Sequence, residues 1–90
     1  MDKRLHVIVH GVVQGVNFRY ATRRMARSLL LSGWVRNTLE GTVEVIAESP
    51  LPHLESLAVF LRIGPSAACV DHLDLNWHDA TGEFVSFDIT

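Results

Sequence analysis

Apolar residues recur with a period of two in some stretches and of about 3.6 in others, and the change of period marks the elements. Residues 5–10 alternate and are rich in β-branched side chains, which predicts a first strand. From Phe18 the spacing becomes helical, and four arginines lie off the apolar stripe of Phe18, Ala21 or Thr22, Met25, Ala26 and Leu29. The pattern predicts an amphipathic helix that ends at Ser32-Gly33.

The remaining chain continues in the same manner. Residues 34–37 and 42–48 predict two strands of a hairpin, joined by a turn that ends in Gly41. Apolar positions between Leu54 and Leu61 predict a second helix that ends at Gly64-Pro65, and residues 71–78 and 84–89 predict two more strands. This order predicts one domain over residues 1–90, a ferredoxin-like α/β sandwich of class α+β. Its antiparallel sheet carries two helices on one face, in the order β-α-β-β-α-β plus a short terminal strand.

Composition narrows the possible functions. The chain has 90 residues, 48% of them apolar, so a hydrophobic core can form without a disulfide bond or a structural metal ion. Its single cysteine excludes a disulfide scaffold and a CxxC site. We find no signal-peptide core and expect a cytoplasmic protein that binds no membrane. The net charge of −2 argues against general nucleic-acid binding, but four of the eight basic residues fall between Arg19 and Arg27. That local positive charge suits a small anionic ligand.

A glycine-rich turn at residues 10–19 joins the first strand to the first helix. Backbone N–H groups at a helix N-terminus have no intrahelical acceptor and attract anions, and Arg19 can clamp two oxygens of a phosphate or carboxylate. The turn is neither a Walker-type loop nor a Gly-x-Gly-x-x-Gly fingerprint. Glycines alone favour an ordinary strand-to-helix connection. Arg19 and the segment 33–37 together favour an oxyanion site, most plausibly for a phosphoryl group.

Two motifs carry a family resemblance. Residues 11–19 follow the pattern glycine-x-valine-glutamine-glycine-valine-x-phenylalanine-arginine, and residues 33–37 read glycine-tryptophan-valine-arginine-asparagine before the Glu40-Gly41 turn. With these motifs in this order, the chain resembles the acylphosphatases over its whole length. The resemblance implies metal-independent hydrolysis of an acyl phosphate to a carboxylate and inorganic phosphate, with no cofactor and with phosphate as product and inhibitor. It implies nothing about oligomeric state, and we expect a monomer.

The resemblance also implies roles for individual residues. Arg19 matches the phosphate-binding arginine, and Asn37 matches the asparagine that orients the attacking water. The phosphate cradle is expected from the backbone around Arg19, with these positions as the phosphate-binding set: Gln14, Gly15, Val16, Asn17, Phe18 and Arg19. Val12, Cys69 and Glu40 depart from common members of the family, which puts substrate preference in doubt more than activity.

Two other functions remain open. The first is a regulatory domain that binds phosphate or carbamoyl phosphate without turnover, like the acylphosphatase-like domain of hydrogenase-maturation proteins. The second is a ferredoxin-like RNA-binding module. Such modules need outward aromatic residues on the first and third strands, where this chain is expected to present Glu44 and Glu48. Phosphate release from a simple acyl phosphate separates the three functions.

The remaining polar residues receive plainer interpretations. Five histidines occur without an evident metal motif, so no metal site is expected. His6, His10 and His72 are expected to share the open face of the sheet, where they offer only adventitious metal binding. Arg23 and Arg27 are expected to contribute background potential from a solvated helix face, and Cys69 is expected to be an unreactive strand residue.

Overall fold

The computed structural model describes residues 1–90 and contains five strands and two helices. In chain order they are β1 (Asp2–Val12), α1 (Phe18–Ser28), β2 (Ser32–Asn37), β3 (Val43–Pro50), α2 (Leu51–Ile63), β4 (Cys69–Asp79) and β5 (Phe87–Ile89). They form one sheet with the strand order β4-β1-β3-β2-β5. The first four strands are antiparallel to their neighbours, and β5 runs parallel to β2. The ferredoxin-like prediction is confirmed.

Both helices cover one face of this sheet. α1 packs against β2 and β5, and α2 packs against β4, β1 and β3. The inward residues of β1 and β3 alternate along each strand, as a half-buried sheet requires, and they share one core of 16 buried residues with both helices. That core contains Leu5, Val7, Val9, Val13, Phe18, Ala26, Leu31, Val35, Val43, Val45, Ala47, Leu54, Leu57, Ala58, Leu61 and Phe87.

The predicted end of the first helix is wrong. α1 ends at Ser28, and Leu30 takes the left-handed conformation with φ 59°. The N–H of Leu31 donates to the carbonyl of Ala26 at 2.9 Å, and the N–H of Leu30 donates to that of Arg27 at 3.1 Å. This is a Schellman cap, which usually has glycine where Leu30 stands. The apolar run therefore concealed the cap, and Gly33 instead belongs to β2.

Glu48 is also placed differently from the expectation of an outward glutamate. Its side chain is 3% exposed because the segment after β4 folds over it. The carboxylate accepts hydrogen bonds from Arg4 Nε at 2.8 Å and from the N–H groups of Thr81 and Gly82 at 2.8 and 2.9 Å. Burial opposes ionisation of Glu48, but these donors outweigh it and hold its pKa below the usual range.

The rest of the open face follows the prediction. His6 Nε2 lies 2.6 Å from Glu44 Oε2, and Arg36 Nε donates to Glu44 Oε1 at 2.8 Å. Burial opposes the ionisation of Glu44, but the bonds from His6 and Arg36 prevail and lower its pKa. Two neighbouring strands thus hold the charge of Glu44 between them. Neither helix of the protein has the length and apolar character needed to cross a membrane.

Candidate oxyanion site

The turn between β1 and α1 leaves a series of backbone donors unbonded. Gly15 and Asn17 are both left-handed, with φ 72° and 67°. Left-handed residues in a turn direct successive N–H groups toward one concavity, and asparagine tolerates this conformation better than most residues. None of the N–H groups of residues 15–20 donates to a protein acceptor, and the first bond is that of Ala21 to the carbonyl of Asn17 at 3.1 Å. The first turn of α1 contains no acidic residue that would compete for them.

These residues border a pocket of about 170 Å³. Its lining comprises Val13, Gly15, Asn17, Phe18, Arg19, Tyr20 and Asn37, with no acidic side chain among them. Arg19 comes from the first turn of α1, and Asn37 is the last residue of β2. The structure therefore brings the two predicted side chains, 18 positions apart in sequence, to the same cavity. Arg19 forms no ion pair with another side chain of the protein.

Asn37 carries an unmet hydrogen-bond acceptor. Its Oδ1 is buried and has no donor within the protein. A buried carbonyl oxygen without a partner costs free energy, and such oxygens are normally satisfied by a ligand or an ordered water. The oxygen belongs to a residue that lines the pocket, and it is a buried acceptor there without a donor.

Gln14 holds the two halves of the site together. Its Nε2 donates to the carbonyl of Thr38 at 2.8 Å and to that of Thr42 at 2.9 Å. Both carbonyls belong to the turn that follows Asn37, so the glycine-rich loop is attached directly to the β2–β3 hairpin. Gln14 is a member of the expected phosphate-binding set. Its amide is committed to the hairpin, and only its backbone remains for a ligand.

Val16 and Phe18, two other members of the predicted phosphate-binding set, can offer a ligand little besides their backbone groups. Phe18 is buried in the core, and Val16 packs against that core. Gly64 approaches the Phe18 ring so closely that a β-carbon there would lie 2.7 Å from Phe18 Cε2. The Gly64-Pro65 turn therefore packs against the Phe18 ring at the start of α1. Gly15 faces open space, since a β-carbon there would meet no atom within 4 Å.

Fold and pocket together define a ferredoxin-like domain with an anion-receptive strand-to-helix turn. The family model of acylphosphatase matches residues 5–89. An acylphosphatase of Syntrophus aciditrophicus is 47% identical over 89 residues, which cover 99% of this chain and 93% of that protein. An acylphosphatase of Salinibacter ruber is 44% identical over 88 residues, covering 98% and 93%. The crystal structure of acylphosphatase from Bacillus subtilis superimposes with a TM-score of 0.94 at 32% identity, covering 98% of both chains. The chain belongs to the acylphosphatase family.

The departures from common family members lie outside the pocket lining. Val12 and Cys69 are register partners on β1 and β4, and both are exposed. Glu40 is an exposed residue of the β2–β3 turn and borders a separate, larger cavity. None of the three lines the pocket that contains Arg19 and Asn37.

Proposed function

We propose that this acylphosphatase uses the pocket between the loop and the hairpin to hydrolyse an acyl phosphate to a carboxylate and inorganic phosphate. The observation that carries the proposal is the meeting of Arg19 and Asn37 at one small cavity. Five residues whose N–H groups have no protein acceptor line that cavity: Gly15, Asn17, Phe18, Arg19 and Tyr20. Each group has a distinct task in this reaction. The substrate is a small molecule, phosphate is both product and inhibitor, and the enzyme works in the cytoplasm as a monomer.

The loop N–H groups and Arg19 bind the phosphoryl end of the substrate. A phosphoryl group carries its negative charge on non-bridging oxygens, and catalysis consists mainly of positioning it and stabilising that charge. The N–H groups donate hydrogen bonds from a fixed backbone, so no reorganisation is needed as the transition state forms. The guanidinium of Arg19 adds a positive charge and two parallel donors.

Asn37 positions the attacking water. A carboxamide cannot act as a base at neutral pH, but its Oδ1 can accept a hydrogen bond from water and hold the water oxygen in line with phosphorus. The unmet acceptor of Asn37 supports this role. Gln14 supports it indirectly, because its two bonds keep Asn37 and the loop at a constant separation.

The leaving group explains why so few residues suffice. The carboxylic acid conjugate to the leaving group has a pKa of about 4, so the carboxylate departs without a proton. No general acid is required, and we propose that the step proceeds without a metal ion. Every proposed contact concerns the phosphoryl end, which leaves the acyl group unspecified.

Arg19→Ala tests the binding role. We expect kcat/KM for acetyl phosphate to fall about 10³-fold or more and inhibition by inorganic phosphate to weaken in parallel, because charge and donors are lost in both complexes. Arg62→Ala is the matched control, since Arg62 is an exposed arginine at the end of α2. Unchanged inhibition by phosphate in Arg19→Ala would contradict the assignment.

Asn37→Ala tests the positioning of water. We expect kcat to fall about 10²–10³-fold with little change in phosphate inhibition, because Asn37 acts on the nucleophile and not on the bound phosphoryl group. Asn76→Ala on β4 is the control for loss of an exposed asparagine. A variant with near-normal kcat refutes the role. A simple phosphate ester serves as the negative substrate, and binding of acyl phosphate without phosphate release by the unmodified protein would favour the regulatory alternative.

A further inference from the structure

Three metal-ligating side chains converge on the open sheet face, outside the pocket that contains Arg19. His10 on β1 lies directly opposite His72 on β4, and Asp74 follows His72 by two residues, on the same face of the strand. The two imidazole rings stack with centroids 4.1 Å apart and planes inclined by 8°. His10 Nε2 lies 2.7 Å from Asp74 Oδ2. His10 and His72 were expected on this face with adventitious metal binding only, and the structure adds their direct pairing and the carboxylate of Asp74.

The geometry points to a site for a divalent transition-metal ion held by His10, His72 and Asp74. One ligand atom from each residue lies within 4.8 Å of the other two. Zinc binds histidine nitrogen and carboxylate oxygen at roughly 2.0–2.2 Å, so two atoms that share one ion are about 3–4 Å apart. Small tilts of the three side chains therefore bring the ligand atoms to bonding distance, with an ion in place of the direct contact between His10 Nε2 and Asp74 Oδ2.

The donor set selects the kind of metal. Calcium and magnesium prefer oxygen ligands alone, whereas two imidazoles and one carboxylate suit zinc, nickel or copper. The histidines stand on paired antiparallel strands, where opposite residues have β-carbons about 5 Å apart. A rigid sheet thus presets their separation. The remaining coordination positions face solvent, since His72 and Asp74 are both exposed.

The site lies at the base of the phosphate loop. The register between β1 and β4 shifts immediately after His10, at Gly11, and β1 ends one residue later. A metal ion bound there crosslinks β1 and β4 at the point where β1 turns into the loop. The ion stabilises the native chain by binding it in preference to the unfolded chain. This site is independent of the proposed reaction, which requires no metal.

Titration of the metal-free protein with zinc chloride tests the inference. We expect one equivalent to bind and the melting temperature to rise by about 10 °C or more when free zinc reaches about 100 times Kd. His72→Ala should weaken zinc binding at least about tenfold. His78→Ala is the matched control, because His78 is an exposed histidine of the same strand, and it should bind zinc like the unmodified protein.

Cobalt provides a second measurement. Substitution of zinc by Co²⁺ should give a visible absorption band in the unmodified protein and in His78→Ala, but not in His72→Ala or Asp74→Asn. Two outcomes overturn the inference: equal zinc affinity in the unmodified protein and His72→Ala, or no saturable binding. Either would mean an adventitious ion only. Activity of the metal-free His72→Ala variant should equal that of the unmodified protein and shows that the variant is folded.

Discussion

Gln14→Met provides the sharpest test of how the site is assembled. Methionine has nearly the shape of glutamine but donates no hydrogen bond, so the change removes both bonds to the hairpin. Both carbonyls keep a hydrogen-bond donor in the variant. The Thr42 carbonyl still accepts from the N–H of Thr38 at 3.0 Å, and the Thr38 carbonyl still accepts from the N–H of Gly41 at 3.3 Å. The loss is therefore the net value of two bonds, about 1 kcal/mol each.

A loss of about 2 kcal/mol corresponds to a fall in melting temperature of about 8–16 °C for a domain of this size. The kinetic effect should be selective. The N–H groups and Arg19 belong to the loop and the first turn of α1, whereas Asn37 belongs to the hairpin. Losing the attachment therefore displaces the water-positioning group from the phosphate site. A displacement of about 1 Å can reduce the rate 10²-fold. We expect kcat to fall about 10–100-fold and phosphate inhibition to change less than about threefold.

The assay is phosphate release from acetyl phosphate, measured well below the melting temperature of every variant. Combining Gln14→Met with Asn37→Ala separates a positioning role from general destabilisation. If Gln14 acts through Asn37, the double variant should have the same kcat as Asn37→Ala alone. A full drop in stability with unchanged kcat, or multiplicative losses in the double variant, would refute the reasoning.

Two further predictions concern stability, each measured by urea unfolding. Gly11→Ala should cost at least about 3 kcal/mol, because Gly11 has φ 131° and a β-carbon would lie 2.1 Å from the Cys69 carbonyl oxygen. Gly15→Ala should cost only about 1–2 kcal/mol for its left-handed backbone, and equal costs would contradict the argument. Glu48→Gln should cost about 3 kcal/mol at pH 7. The folded state lowers the pKa of Glu48, so its contribution is present above the unfolded value of about 4.3 and disappears as pH falls through the folded value. A cost that is the same at pH 7 and at pH 3 would contradict this explanation.

The sequence pattern located the strands and helices, but several of their boundaries differ in the structure. Period-two alternation located β1 and β3 correctly because each has one buried face. The end of α1 was misplaced since Leu30, not a glycine, takes the left-handed capping position. The last strand contains three residues and not six, because residues 80–86 leave the sheet and cover Glu48. Local patterns carry no information about such covering segments.

At the candidate site, too, local motifs predicted single residues, whereas contacts between distant residues were not predicted. Arg19 and Asn37 were predicted because two recognisable motifs contain them, and the structure places both at one cavity. The attachment made by Gln14 was missed. It spans 24 and 28 positions to Thr38 and Thr42, and a glutamine in a loop offers no pattern that would reveal its acceptors. His10 and His72 were predicted to share the open face, but their direct pairing and the approach of Asp74 to His10 were not, since both depend on the strand register.

The order of residues along the chain was enough to specify the elements, the family and the donor-rich turn. Hydrophobic period, left-handed glycines and helix termini are all properties of neighbouring residues. Assembly of the sheet specified which distant groups became partners: Gln14 with the hairpin carbonyls, Glu48 with the segment after β4, and His10 with His72 and Asp74. Their contacts depend on which strands become neighbours and in which register, and both are decided when the apolar faces of distant segments pack together.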